Sequence, residues 1–383
     1  MTYRFAQRTE GSELSLIRQM LNLASSVPEA INLGIGELSY PLPLPMQEAA
    51  KRVMTGAIKY TPNAGLPKLR ELIAQEHNAQ TSQNVNMNNV LVTAGVEEGI
   101  FLTYMGFLNP GDEVLIPELA FSPYRTIASV FGAEAKTYKL TKDFGLDLND
   151  LKAKVTDKTK LILTNSPGNP TGRIFNKPDL FGLAEIVERK SDALIVSDEI
   201  YSNIYFANRP MSFAQFSDRV ITLNGISKRT GGTGLRLGWI VADEPIIKRL
   251  VPLHQKAVAC APTLSQYMAV PLLEGECMME EVKIRTDLRD NRNLAIYSLL
   301  ELPGIGLART PEGAFYMFAD ISQYKKGGDS FDLTKRVLEE GKVVVIPGKE
   351  FGQAGDNHIR ISYAVGKDVL LEGIGRLKGA LVR

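Results

Sequence analysis

The chain has 383 residues, 44% hydrophobic and 23% charged, with a formal net charge of +1. This is the composition of a soluble globular protein with room for two domains and a large core, and its near-neutral charge gives no footing for nucleic acid or a membrane surface as partner. Cys260 and Cys277, with His77, His254 and His358, lack ligand spacing, so no metal site is expected and the free thiols suit a reducing cytoplasm.

The N-terminus, MTYRFAQRTEGSEL, is polar and without the apolar core of a signal peptide. No stretch approaches the roughly 18 apolar residues of a membrane span. Leu14, Ile17 and Leu21 recur at helical spacing and predict a helix over Ser12–Ser25. Ile31–Glu37 reads as a short strand opening into a glycine turn, and Pro45–Thr55 and Leu66–His77 as helices on either side of the loop Tyr60-Thr61-Pro62-Asn63-Ala64-Gly65. Strands are then expected at Val90–Thr93, Glu113–Ile116, Glu134–Tyr138, Leu161–Asn165, Ala193–Ser197, Val220–Leu223 and Trp239–Val241. Helices are expected between most of them, at Gly99–Leu108, Tyr124–Phe131, Asp147–Lys154 and Lys177–Arg189. Alternation with nearly continuous apolar strands means an α/β fold, a mainly parallel seven-stranded sheet covered on both faces. Ligands of such sheets sit beyond the carboxyl ends of the strands.

After Pro262 the pattern becomes α+β. It reads as one long helical stretch Pro262–Leu300, then strands Ala314–Ala319 and Val343–Ile346 with a helix Phe331–Glu339 between them. A strand His358–Tyr363 and a last helix Lys367–Leu381 follow. We expect a large domain over 40–275 and a smaller α+β domain from 1–39 and 276–383.

The chemistry gathers at strand ends. Lys228 follows the run ending at Leu223, with Ser227 beside it and Arg236 eight residues on. A desolvated lysine loses pKa and becomes a Schiff-base nucleophile, and Ser227 and Arg236 could hold one phosphate; the alternative is a surface lysine in a glycine-rich turn. Asn165–Gly172 follows another strand, where prolines and glycines fix a turn that can aim Asn169 at a ligand. Asp198 ends an apolar strand, where a carboxylate needs a cationic partner such as a pyridinium nitrogen, and Tyr201 could reach a phenolate oxygen. Thr93-Ala94-Gly95-Val96-Glu97 carries a strand into a helix, whose free amides suit a phosphate. Arg360, between Ile359 and Ile361, needs an anion, either a structural carboxylate or a substrate one.

In order and spacing these stretches closely resemble the class I/II aminotransferases, the aspartate-aminotransferase-like group of fold-type-I pyridoxal-phosphate-dependent enzymes. The resemblance runs from Leu33-Gly34-Ile35-Gly36-Glu37 to Arg360. It includes Asn169-Pro170-Thr171-Gly172, Ser197-Asp198-Glu199-Ile200-Tyr201, Ser227-Lys228 with Thr233–Gly238, and Pro311 with Gly313–Tyr316. It implies pyridoxal 5'-phosphate as cofactor and ping-pong exchange of an α-amino group between an amino acid and a 2-oxo acid. Lys228 would bind the cofactor covalently and shuttle the proton; Asp198 would hold the ring nitrogen protonated, and Asn169 and Tyr201 would bond the ring oxygen. Ser227, Arg236 and the amides of Gly95, Val96 and Glu97 would bind phosphate, and Phe121, in Phe121-Ser122-Pro123-Tyr124, would stack on the ring. Arg360 would grip the substrate α-carboxylate, with Gly36 and Asn169 lining the pocket. Tyr60 would reach the phosphate of the other subunit, which implies a homodimer.

Lyases, synthases and oxidases on this fold share the same residues, and a non-catalytic sensor domain is a further alternative. Arg229 follows the lysine where a small residue is commoner, and Glu97 falls where some dicarboxylate-specific relatives have lysine. If Glu97 faces the pocket it would repel a distal substrate carboxylate; otherwise it simply favours the dipole of its helix. Side-chain selection is expected to involve Leu16, Ile17 and Arg18, the loop after Gly36, and Val96-Glu97.

Overall fold

The apolar runs in the middle of the chain join into one sheet. In the computed structural model, which describes residues 3–9 and 13–383, seven strands lie side by side. Their order is Val90–Thr93, Gly238–Val241, Val220–Gly225, Leu194–Asp198, Thr159–Asn165, Glu113–Pro117, Glu134–Tyr138. All neighbours pair parallel except Gly238–Val241, which is antiparallel to both of its partners. Strands Val90–Thr93, Glu113–Pro117 and Gly238–Val241 are buried at every residue, as a sheet covered on both faces requires.

Alternate side chains of the strands feed different cores. Leu91, Val114, Val196, Ile221 and Ile240 pack with Ile100, Tyr104, Tyr124 and Ile247 from helices Val96–Phe107, Pro123–Val130 and Glu244–Val258. Leu115, Ile162 and Ile195 pack instead with Leu151, Leu180 and Val187 from helices Leu148–Lys154 and Lys177–Lys190. Val92, Trp239 and Val241 meet Met46, Leu69 and Met268 from helices Leu44–Met54, Pro67–Thr81 and Thr263–Leu273. Because the antiparallel strand is flanked on both sides, the other six strands all end on the same edge. Four of those ends bear Thr93, Asn165, Asp198 and Gly225.

The chain's two ends build a second layer. Ile31–Asn32 pairs parallel with Val343–Val344. Tyr316–Asp320 pairs antiparallel with His358–Ser362, which also takes Ile346–Pro347. Helices Met278–Leu300, Ser330–Gly341 and Lys367–Val382 cover these strands through Leu288, Val337 and Leu377. Asp329 starts the second of these helices, its side chain accepting from the Phe331 and Asp332 amides while Asp332 returns the bond, a reciprocal cap for amides the helix leaves free.

Several sequence expectations change. The stretch Pro262–Leu300 is two helices, Thr263–Leu273 and Met278–Leu300, parted where Gly275 takes φ +85°, a left-handed conformation open to glycine. Helix Glu244–Val258 was not anticipated. Pro245 sits in its first turn, where no amide bond is lost, but Pro252 interrupts its interior and hides the pattern. Val343–Ile346 is split between two sheets, Val343–Val344 joining one and Ile346–Pro347 the other. The strand at Ile31 spans only Ile31–Asn32. The N-terminal helix covers Leu16–Ala24, and the expected start at Ser12 lies outside the described residues. Among the described residues no helix is long and apolar enough to cross a membrane.

Candidate active site

A cavity of about 320 Å³ opens where the strand ends meet the C-terminal layer, lined by Lys228, Asp198, Asn169, Tyr201, Ser227, Arg236, Phe121 and Arg360. A larger groove at Arg173, Arg309 and Glu312 shares no residue with it, and those two arginines are matched to carboxylates.

Strand Val220–Gly225 delivers Lys228, whose Nζ donates to the Gly36 carbonyl at 2.5 Å. Loss of water lowers the amine to about 8; Arg360 and Arg236 push the same way, while Glu37 and Asp198 oppose them. Asp198, 4% exposed, ends the neighbouring strand. One carboxylate oxygen accepts from the Tyr124 hydroxyl at 2.6 Å and the other from the Ile200 amide at 3.1 Å. Burial raises its pKa to about 6, against those two bonds and the Lys228 charge.

The Asn165–Gly172 turn is held from within. Asn165 donates from Nδ2 to the Asp198 carbonyl at 2.9 Å and accepts the Asn169 amide at 2.7 Å. Asn169 Oδ1 in turn accepts from Arg360 at 2.8 Å. Arg360, 2% exposed, also donates to the Gly34 carbonyl at 2.6 Å, and its guanidinium lies over the rings of Tyr316 and Phe351 at 4.3 Å and 5.1 Å. Its Nε has no partner among the described residues. Arg360 forms no ion pair with a carboxylate of the described residues, so its bonds are to neutral oxygens and its charge stays available to an anion. Tyr201 and Tyr316 share a hydroxyl–hydroxyl bond of 3.0 Å, edge to face.

Gly95, at φ +92°, starts helix Val96–Phe107. A Cβ there would lie 2.8 Å from an Arg236 guanidinium nitrogen, so only glycine lets that cation settle over the helix N-terminus. Glu98 steadies this loop, accepting from the Ala94 amide and from buried His254 Nδ1 at 2.9 Å. Gly36 is similarly constrained: a Cβ would lie 2.3 Å from the Tyr316 hydroxyl.

Residues 28–376 match the profile of the family "Aminotransferase class I and II". The chain belongs to the class I and II aminotransferases. It is 39% identical to a probable aspartate aminotransferase of Methanocaldococcus jannaschii, over 97% of this chain and 98% of that protein. It is 33% identical to aromatic-amino-acid aminotransferase 2 of Thermococcus litoralis, over 98% of each. Its fold superposes on the Thermus thermophilus aspartate aminotransferase solved with maleate at a TM-score of 0.93, with 26% identity over 99% of this chain and 100% of that one.

In this aminotransferase the cavity gathers Gly36, Val96, Glu97, Phe121, Asn169, Asp198, Tyr201, Ser227, Lys228, Arg236 and Arg360, all singled out from sequence. Gly95 lies behind them under Arg236. Tyr60 is not brought there; its side chain is 85% exposed. From the N-terminal helix the cavity takes Ile17, Arg18 and Leu21 rather than Leu16. Arg229 turns away, its guanidinium bonded to Glu76 at 2.9 Å and to Glu281. It ties the lysine loop to helices Pro67–Thr81 and Met278–Leu300. Glu37 brings in the loop after Gly36, as expected, whereas Tyr124 and Tyr316 were missed as cavity residues. Tyr124 stood in the motif quoted for Phe121, but nothing local announced that its hydroxyl would meet Asp198.

Proposed function

We propose that this aminotransferase uses pyridoxal 5'-phosphate to move the α-amino group of an L-amino acid onto a 2-oxo acid in two half-reactions. The observation that carries this reading is a lysine amine lowered to about 8 in one cavity with a buried carboxylate and a buried, anion-free arginine. The donor set fits the cofactor. Arg236, Ser227 and the free amides of Gly95, Val96 and Glu97 suit its phosphate. Asp198 supplies, at a buried position, the negative charge that a protonated ring nitrogen needs. When bound, the cofactor supplies a sink for the electron pair left when the substrate Cα loses its proton.

The residues then divide the work. The Lys228 amine, brought closer to neutrality by burial, would hold the cofactor covalently and would be the group that takes and returns the substrate Cα proton. Asp198, oriented by the Tyr124 hydroxyl, would keep a proton on the ring nitrogen. The Tyr201 hydroxyl and the Asn169 side-chain amide, whose oxygen is already engaged by Arg360, would donate to the ring oxygen. Phe121, on the cavity wall, would cover one face of the ring. Arg360 grips the α-carboxylate by its charge, with Gly36 leaving the room.

The functional unit in this reading is a homodimer in which Tyr60 reaches the partner's phosphate. Tyr60 stands exposed beside a surface that also carries exposed Met54, Ile58 and Tyr267. Met54 and Tyr267 come from two helices, Leu44–Met54 and Thr263–Leu273, that pack on each other.

For the amino donor we infer neutral or basic side chains, because Glu97 and Glu37 both line the cavity. The deciding experiment incubates purified protein with single amino acids and 2-oxoglutarate and identifies products by mass spectrometry. Transfer of nitrogen, with glutamate formed, supports the reading; loss of ammonia or carbon dioxide without transfer would assign another reaction. A panel with aspartate as the best donor would remove the side-chain inference alone.

A further inference from the structure

Glu350 joins three parts of the cavity wall through one carboxylate. It lies in the turn Gly348–Phe351, which precedes the strand of Arg360, and is 7% exposed. One oxygen accepts the amide of Leu16 at 2.7 Å; the other accepts the hydroxyl of Ser122 at 2.5 Å. Burial raises its pKa, opposed by those bonds, by the Arg360 charge and by the Ile17 amide.

Leu16 is the first residue of helix Leu16–Ala24, and Ser15 already caps the amide of Arg18. Glu350 therefore satisfies the helix's leading amide from a segment more than three hundred residues away. The same helix turns Ile17, Arg18 and Leu21 toward the cavity, and Ser122 follows Phe121. Apart from a weak bond from the Thr334 hydroxyl to Met20 Sδ at 3.6 Å, the helix otherwise rests on apolar contacts: Met20 is fully buried among Leu119, Ile346 and Phe351, with Ile17 and Leu21 packed beside it. Such contacts resist removal but not sliding, because they have no direction. A hydrogen-bonded carboxylate has direction.

We propose that Glu350 is a positioning residue for substrate selection, fixing the N-terminal helix over the cavity so that Ile17, Arg18 and Leu21 meet the substrate side chain. The inference rests on the aminotransferase reading and names which part of the chain sets side-chain preference. A long side chain extends to that helix; the methyl group of alanine stays near Cα and does not.

The test compares the first half-reaction with phenylalanine and with alanine, followed by absorbance of the holoenzyme. In Glu350→Ala the ratio of kcat/KM for phenylalanine to that for alanine should fall about tenfold, mainly through KM, the scale expected for losing hydrogen bonds to a charged acceptor. Glu350→Gln keeps an acceptor for Leu16 and can donate to the Ser122 oxygen, so it should hold the ratio within about twofold. Ser122→Ala removes one bond and no charge, and should lower the ratio about two- to threefold even if Glu350→Ala does not fold. Amide exchange across residues 16–24 should quicken in Glu350→Ala and not in Glu350→Gln. Equal losses for both donors, or exchange unchanged in Glu350→Ala and an unchanged ratio in Ser122→Ala, overturn the proposal. Where neither is a donor, the ratio is taken between a long and a short neutral donor from the panel; a wild-type protein that transfers nitrogen from no amino acid would instead overturn the aminotransferase reading.

Discussion

The Lys228 amine offers the most direct check on the site. Burial is the larger cause of its lowered pKa, and the Arg360 charge is the next. With a value of about 8 rather than 10.5, the free-base share at pH 7 rises about 300-fold, from roughly one molecule in three thousand to about one in ten. Cofactor-free protein pulsed with formaldehyde and cyanoborohydride between pH 6 and 11, then mapped by mass spectrometry, reads this directly. Labelling of Lys228 should be half-maximal near pH 8, while exposed lysines follow the ordinary range about two units higher. Arg360→Gln should move the Lys228 midpoint upward yet leave it below 10.5, because the burial remains. The sign carries over to stability. A depressed amine pKa penalises the folded cofactor-free protein below pH 8, and that penalty is relieved as pH rises from 8 toward 10.5. A Lys228 midpoint near 10, or a downward shift in Arg360→Gln, would refute the electrostatic account.

Asp198→Ala should lower turnover by about a thousandfold or more, measured in single-turnover kinetics, since a ring nitrogen without its anion is a poor electron sink; cofactor retention through Arg236 and Ser227 should persist. Mixing Tyr60→Phe with Lys228→Ala protein should restore activity through hybrid dimers holding one intact site, and sedimentation showing a fully active monomer would defeat the shared-site reading. Glu199 is buried and raised to about 7, with Ser197 and Ser212 both bonded to one of its oxygens at 2.8 Å and 2.7 Å. A raised carboxyl pKa lends stability below the unfolded value that is lost as pH climbs through 7. Glu199→Gln should therefore gain up to about 3 kcal/mol over wild type at pH 8 and much less at pH 5 in thermal melts, reduced by whatever the Phe213 amide loses.

What could be read from sequence was local, and what could not was distant. Continuous runs such as Leu161–Leu163 and Ile195–Val196 announce buried parallel strands because both faces of the sheet are covered. The residues at their ends, Asn165, Asp198 and Lys228, inherit a shared edge from that topology alone. Helix Glu244–Val258 escaped because a proline inside a helix argues against it locally, and packing of Ile247 and Leu250 on the sheet overrides that preference. Tyr124 and Glu350 escaped for another reason. Their partners Asp198 and Leu16 lie 74 and 334 residues away, and no local spacing encodes such a meeting. Its local sequence leaves Arg360 open to a structural or a substrate role; its bonds to two neutral oxygens and an Nε with no partner among the described residues favour the latter. Arg229 resolves the opposite way, its charge consumed by Glu76 and Glu281.

The charges lining the cavity also bear on which amino donor fits. Its cations are Arg18, Lys228, Arg236 and Arg360, and its anions Glu37, Glu97 and Asp198. In the proposed complex a phosphate occupies Arg236, an α-carboxylate occupies Arg360, Asp198 faces the ring nitrogen and Lys228 handles the proton. Arg18 is then left to face the substrate side chain together with Glu37 and Glu97. A second substrate carboxylate would find one exposed arginine against two glutamates. Both glutamates are themselves exposed, so water screens them and the discrimination is moderate, on the order of ten- to a hundredfold. The apolar part of that wall, Ile17, Leu21 and Ile35, rewards a side chain with a hydrophobic body. A donor with an apolar stem and a neutral or cationic tip satisfies both halves of the wall. Aspartate satisfies neither, although several relatives carry its name.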